Sequence, residues 1–130
     1  MRIHAYIRVV GGEIAVRAIH DEVKLQAAVV RETKATMNNR ANAKWWNWRT
    51  PQVPLDADNP DAGLKEMLSR YRPIFPLIRK QKGPDCVVYL QLVTEYNQDE
   101  EPRGLYLSDE VIGLLNELGG SLDNDVVLHE

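Results

Sequence analysis

Three tryptophans, Trp45, Trp46 and Trp48, fall within four positions and are flanked by the cations Lys44 and Arg49. Indole rings beside cations can stack on a base, a sugar or a partner's side chain, so this segment is a candidate binding surface. The plainer reading turns Trp46 and Trp48 inward, because positions two apart share one face of a strand, and leaves Trp45 as the functional candidate. Near the other end of the chain, Asp123 and Asp125 also share a strand face. Two such carboxylates can hold a hard cation or act as an acid and base pair, but they also serve to keep a strand from pairing with another chain. His4 would approach them only if the last strand pairs beside the first. His4, Arg8, Asp123 and Asp125 would then surround a pocket at the sheet edge. None of the three histidines, His4, His20 and His129, stands at a ligand spacing such as H-x-x-x-H, and lone histidines on strand faces are usually solvated or hydrogen-bonded. The basic set Arg70, Arg72, Arg79, Lys80 and Lys82 could meet phosphate, yet cations near a helix C-terminus are expected on stability grounds alone.

The familiar catalytic signatures are absent: the chain has no Gly-rich phosphate loop, no G-x-S-x-G, no H-E-x-x-H and no C-x-x-C. Its single cysteine, Cys86, sits among apolar residues and reads as a small buried side chain in a reducing compartment. No apolar run is long enough to span a bilayer and the start lacks a signal-peptide pattern, so a cytoplasmic protein without a membrane partner is expected. The net charge of −3 hides an asymmetry, since residues 1–50 hold nine Lys and Arg against four Asp and Glu, while residues 51–130 hold seven against fifteen. Such halves can pair within the fold, pair between subunits or mark a polar binding face.

The elements that must position these residues are legible to different degrees. Arg2 to Val10 alternates strictly, with Ile3, Ala5, Ile7 and Val9 on one face and Arg2, His4, Tyr6 and Arg8 on the other, which predicts a half-buried strand. Gly11-Gly12 breaks it. Glu13 to Val23 reads as a helix through Ile14, Ala18, Ile19 and Val23, with a hairpin as the rival because Ile14, Val16 and Ala18 also alternate. Ala27 to Ala35 reads as a strand, Thr36 to Lys44 as a polar loop, Trp45 to Thr50 as a short strand ended by Pro51, and Val53 to Asp58 as a loop. Asn59-Pro60 starts a helix whose apolar phase, Leu64, Met67, Leu68, Tyr71, Ile74, Phe75 and Ile78, survives two prolines, so a kink or interruption near Arg72 is predicted. Cys86 to Tyr96 is apolar on both faces and belongs at the centre of the sheet. Leu105 to Leu107 reads as a short strand, Asp109 to Leu118 as a helix capped by Ser108 and stopped by Gly119, and Ser121 to Leu128 as the last strand.

W-x-W-R-T at Trp46 to Thr50, Val93-Thr94-Glu95-Tyr96-Asn97, and L-S-x-E-x-I-x-L-L-x-E-L-G-x-S-L-D-x-D from Leu107 to Asp125 together resemble the bacterial domain-of-unknown-function family 4279. The resemblance implies an α/β sandwich related to ferredoxin-like arrangements. It implies no activity and transfers no catalytic residue. Small single-domain bacterial proteins of this sort often look like immunity or other partner-binding proteins, and by that analogy of size and class a partner-binding role is expected.

The expectation is one domain over residues 1–130, of α+β type, a two-layer sandwich with a mostly antiparallel sheet and helices on one face. Tyr6, Arg8, Tyr89 and Trp45 are the candidates to line the other face. The function expected is a non-enzymatic protein-interaction module that binds another protein or a second copy of itself. Tyr6, Arg8, Lys44, Trp45, Arg49, Asp123 and Asp125 are its expected binding residues, with no catalytic residue, metal or cofactor. A small-ligand binder or enzyme using His4, Arg8, Asp123 and Asp125 is the alternative. Nucleic-acid binding through Lys44, Trp45, Arg49 and the basic end of the long helix is disfavoured by the acidic balance of the chain.

Overall fold

The computed structural model describes residues 1–25, 36–39 and 45–129. The sheet is built on the alternating first strand, β1 (Arg2–Gly11), which pairs antiparallel with β5 (Cys86–Tyr96) over its whole length, from Arg2 opposite Glu95 to Gly11 opposite Cys86. This register sends Ile3, Ala5, Ile7 and Val9 of β1 and Val88, Leu90 and Leu92 of β5 into one core, where all are buried. The other edge of β1 is covered in two pieces. β3 (Trp46–Arg49) pairs with residues 8–11, and β4 (Val53–Leu55) pairs with residues 3–5. Between them Thr50 takes over the ladder: its N–H donates to the Ile7 carbonyl at 3.0 Å, and its Oγ1 accepts the Ile7 N–H at 3.0 Å. A side-chain hydroxyl thus stands in for a backbone partner just before Pro51, which has no N–H to offer.

The segment 53–58, expected as a loop, therefore contains a strand. Its brevity and its proline hid it, yet Pro54 lies opposite His4 on the outer side of the sheet path, where a missing donor costs little. Thr36–Asn39, expected within a loop, is likewise a strand, β2, antiparallel to β3. The expected strand at Ala27 to Ala35 lies outside the described residues. β6 (Ser121–Leu128) runs parallel to β5 on its far side, giving the order β2-β3-β1-β5-β6 with β4 attached to β1. Leu105 to Leu107 is not a strand. Both edges of β5 are already taken, by β1 and β6, so these residues cannot pair with it, and Leu105 and Leu107 pack against the core instead.

The helices lie on the core side. α1 (Glu13–Leu25) forms as a helix, and the hairpin rival falls away. Its buried face is Val16, Ile19 and Val23, while Ile14, expected inward, stands out in solvent. α2 (Pro60–Tyr71) starts at Asn59, whose side chain accepts the Ala62 N–H, and passes through one 3₁₀ turn at Arg72–Ile74 into α3 (Phe75–Gln81). The interruption falls where Pro73 and Pro76 remove backbone donors, and every apolar residue of the expected phase from Leu64 to Ile78 is buried across it. α4 (Asp109–Leu118) begins at Ser108, whose hydroxyl accepts the Val111 N–H at 3.3 Å, and ends at Gly119 with φ +75°. α2 and α4 are tied where Asp61 accepts the Ser108 N–H at 2.8 Å. The result is a two-layer α+β sandwich with one parallel strand pair, β5 with β6, among antiparallel ones.

Gly11 ends β1 against the start of β5. A Cβ there would stand 2.7 Å from the Asp85 carbonyl oxygen and 3.1 Å from the Cys86 Cα, both backbone atoms that cannot swing aside, whereas a Cβ on Gly12 would meet nothing within 4 Å. Gly11→Ala is expected to destabilise the fold by about 1–3 kcal/mol, and Gly12→Ala to leave it within about 0.5 kcal/mol, both read from urea unfolding midpoints. Beside it, Cys86 is buried, and burial pushes its thiol pKa up. A thiol held protonated and shielded is a poor nucleophile. Ellman's reagent should find no reactive thiol in the native protein near neutral pH and one thiol per chain after denaturation.

Candidate functional site

The face of the sheet away from the helices carries most of the residues singled out by sequence. Even positions of β1, odd positions of β5 and β6, and Asn47 and Arg49 of β3 all project there, as the register requires. At its centre Arg8 lies directly opposite Arg49 on one side and Tyr89 on the other. The two guanidiniums do not meet a carboxylate among the described residues. Each lies over an aromatic ring: the Arg8 Cζ is 5.8 Å from the Tyr89 ring centre, and the Arg49 Cζ is 5.3 Å from the Tyr6 ring centre. The Arg8 Nε also donates to the Asn47 Oδ1 at 3.3 Å. The ring quadrupole attracts each cation without neutralising its charge.

Beside this pair is an open depression of about 480 Å³ lined by Arg8, Tyr89, Trp45, Val87 and Asp123, with Val10, Pro84 and Leu122 completing its wall. Trp45 and Val87 are 48 % and 40 % exposed, so the depression offers apolar surface next to charge of both signs. Gln91 underlies the face between Tyr6 and Asp123, its register neighbours. It is only 1 % exposed; its Nε2 donates to the carbonyls of Leu92 and Asp123, and its Oε1 has no partner. A glutamine inside an otherwise apolar central strand was the sequence signal for this residue, and the reading of that strand by hydropathy passed over it.

The other tryptophans divide as the plainer reading has it. Trp48 is fully buried and Trp46 half-buried, packed against the core with the Arg17 guanidinium 4.9 Å from its ring centre. Trp45 stays on the surface. Lys44 lies outside the described residues.

The constellation of His4 with Asp123 and Asp125 rests on the last strand pairing beside the first, and it does not. β5 lies between them. His4 Nε2 faces Glu95 at 3.8 Å, and the same carboxylate takes His129 Nε2 at 3.2 Å and Arg2 at 3.4 Å. Asp123 and Asp125 make no ion pair with any described residue. Among the described residues, no three of His, Cys, Asp and Glu are arranged to hold a metal ion. The basic helix residues are accounted for in part by neighbours, with Arg70 near Glu66 at 3.9 Å and Arg72 paired to Glu117 at 3.0 Å, while the stems of Arg79 and Lys82 flank Gly119. No described helix is long and apolar enough to cross a membrane.

A second cavity, of about 230 Å³, lies at the far end of β5 under the segment that leads to α4. Thr94, Asn124, Tyr96 and Arg103 are among its walls, but their polar groups are largely turned to each other: the Thr94 hydroxyl donates to the Asn124 Oδ1 at 2.9 Å, and the Tyr96 hydroxyl both donates to and accepts from the Arg103 backbone. The arginine and tyrosine face is the better candidate, because Arg8, Arg49, Asp123 and Asp125 make no ion pair there among the described residues.

No curated protein matches this chain. Over residues 1–129 the sequence matches the family described as Domain of unknown function (DUF4279), the family to which its tryptophan and C-terminal motifs point, and the chain belongs to that family.

Proposed function

We propose that this chain is a non-enzymatic protein-interaction module whose binding surface is the sheet face opposite the helices. The observation that carries the reading is the Arg8 and Arg49 pair, two like charges set directly opposite each other on the face away from the helices, each over a tyrosine ring and neither neutralised by a described carboxylate. Like charges opposite each other across strands destabilise a sheet, so a partner that supplies carboxylates would relieve that repulsion on binding. Trp45, Tyr89 and Val87 add the apolar and aromatic contacts from which interfaces draw most of their energy. Asp123 and Asp125 on the same face oppose a phosphate backbone and favour a protein with charges of both signs over a nucleic acid.

Immobilised protein is expected to retain a partner from a lysate of its native host at low salt. Arg8→Glu with Arg49→Glu should weaken that retention at least about tenfold, since a charge-assisted bond contributes about 1.5–3 kcal/mol. Circular dichroism of the variant should match the parent, because both side chains are at the surface. Equal retention by parent and variant, or none by the parent, defeats the proposal.

A further inference from the structure

The strand β6 is an edge whose hydrogen-bonding side has no described partner. The His129 N–H donates to the Tyr96 carbonyl at 3.0 Å, and backbone groups alternate along a strand, so odd residues of β6 point their N–H and C=O at β5. The groups of Leu122, Asn124, Val126 and Leu128 point outward. Side chains of these same even positions lie on the helix side of the sheet, yet the helix layer does not reach them: Val126 is 54 % exposed and Leu128 65 %. α4 turns Glu110 and Glu117 toward Lys65 and Arg72, and on its opposite flank Ile112 is 50 % exposed.

Edge strands that must stay single carry charged side chains, lysine above all, proline or a bulge; β6 has no lysine and no proline. Its only charged residues, Asp123 and Asp125, lie on the opposite face. They do not block pairing with an identical strand; they select its register. In a two-fold antiparallel pair centred on Asp123, Asn124 or Asp125, an aspartate faces an aspartate. Centred on Val126, Asp123 faces His129 of the second copy, Asp125 faces Val127, Asn124 faces Leu128 and Val126 faces itself. A centre at Val127 also avoids the clash but with a shorter overlap. We infer that two copies of this chain join antiparallel along β6, centred on Val126, into one continuous sheet. The two-fold axis stands perpendicular to that sheet, so both open faces lie on the same side of the dimer, with their arginine pairs separated by β5 and β6 of each copy.

Light scattering on the intact chain at about 100 µM is expected to give twice the 14.8 kDa chain mass, a concentration at which even a micromolar dimer is nearly full. Val126→Cys should form a disulfide-linked dimer on mild oxidation, because directly opposite Cα atoms lie about 5.5 Å apart, whereas Ser121→Cys should not, because in this register the two copies of position 121 lie roughly 30 Å apart along the strands. The native Cys86 is buried and does not compete. Val126→Lys should leave a folded monomer. A monomeric parent, a dimer that survives Val126→Lys, or equal cross-linking at positions 121 and 126 overturns the inference. Arg8→Glu with Arg49→Glu should leave the dimer intact, so loss of partner binding on the open face and loss of the β6 dimer are read separately.

Discussion

Everything in this molecule depends on the register between β1 and β5. Because side chains alternate along a strand, a slip of one residue would exchange Ile3, Ala5, Ile7 and Val9 for Arg2, His4, Tyr6 and Arg8 at the core. The cost of placing those polar and charged groups among Leu90, Leu92 and the helix residues is far beyond what a marginally stable domain tolerates. The register in turn sets the remaining partners. β3 and β4 divide the free side of β1, with Thr50 supplying both hydrogen bonds at the junction, and β6 takes the free side of β5.

The helix layer follows from the same constraint, since each helix contributes a buried stripe that matches the apolar face so defined. The stripe on α2 and α3 is continuous across two prolines because the 3₁₀ turn advances the chain while keeping Tyr71, Ile74, Phe75 and Ile78 on the inner side. α4 is placed by contacts at both of its ends. Asp61 holds the Ser108 backbone, and the left-handed Gly119 turns the chain directly into β6. These anchors pull α4 toward α2 and α3, and the apolar face of β6 is left outside the layer.

Much of this was legible in the sequence because the decisive signals are local. The alternation of β1, the caps at Asn59 and Ser108, the stop at Gly119 and the apolar phase through Pro73 and Pro76 each depend on a few neighbouring residues. The misses depended on partners distant in the chain. Val53–Leu55 is a strand only because β1 offers it an edge, and Leu105–Leu107 is not one only because β5 offers none. The candidate site divides along the same line. Tyr6, Arg8, Arg49, Trp45 and Asp123 could be assigned to one face from parity, whereas the pairing of His4 with Glu95 instead of an aspartate, and the burial of Gln91, were consequences of strand order.

Strand order is also what makes the arginine pair informative. Projection to the outer face calls for polar residues at positions 8 and 49, but not for two cations there. Serine, threonine or an acid opposite one base would satisfy the outer face and stabilise the sheet better. Stacking on Tyr6 and Tyr89 offsets part of the repulsion, by roughly 0.5–1 kcal/mol for each exposed cation over a ring, and it requires two tyrosines at the two positions where a ring can lie under each guanidinium. Two tyrosines, one from β1 and one from β5, thus lie against two like charges that the outer face does not require. Departures of this kind from local stability rules are where binding chemistry is expected. The neighbouring C-terminal block, although far more regular in sequence, is accounted for almost wholly by caps, buried leucines and a glycine stop.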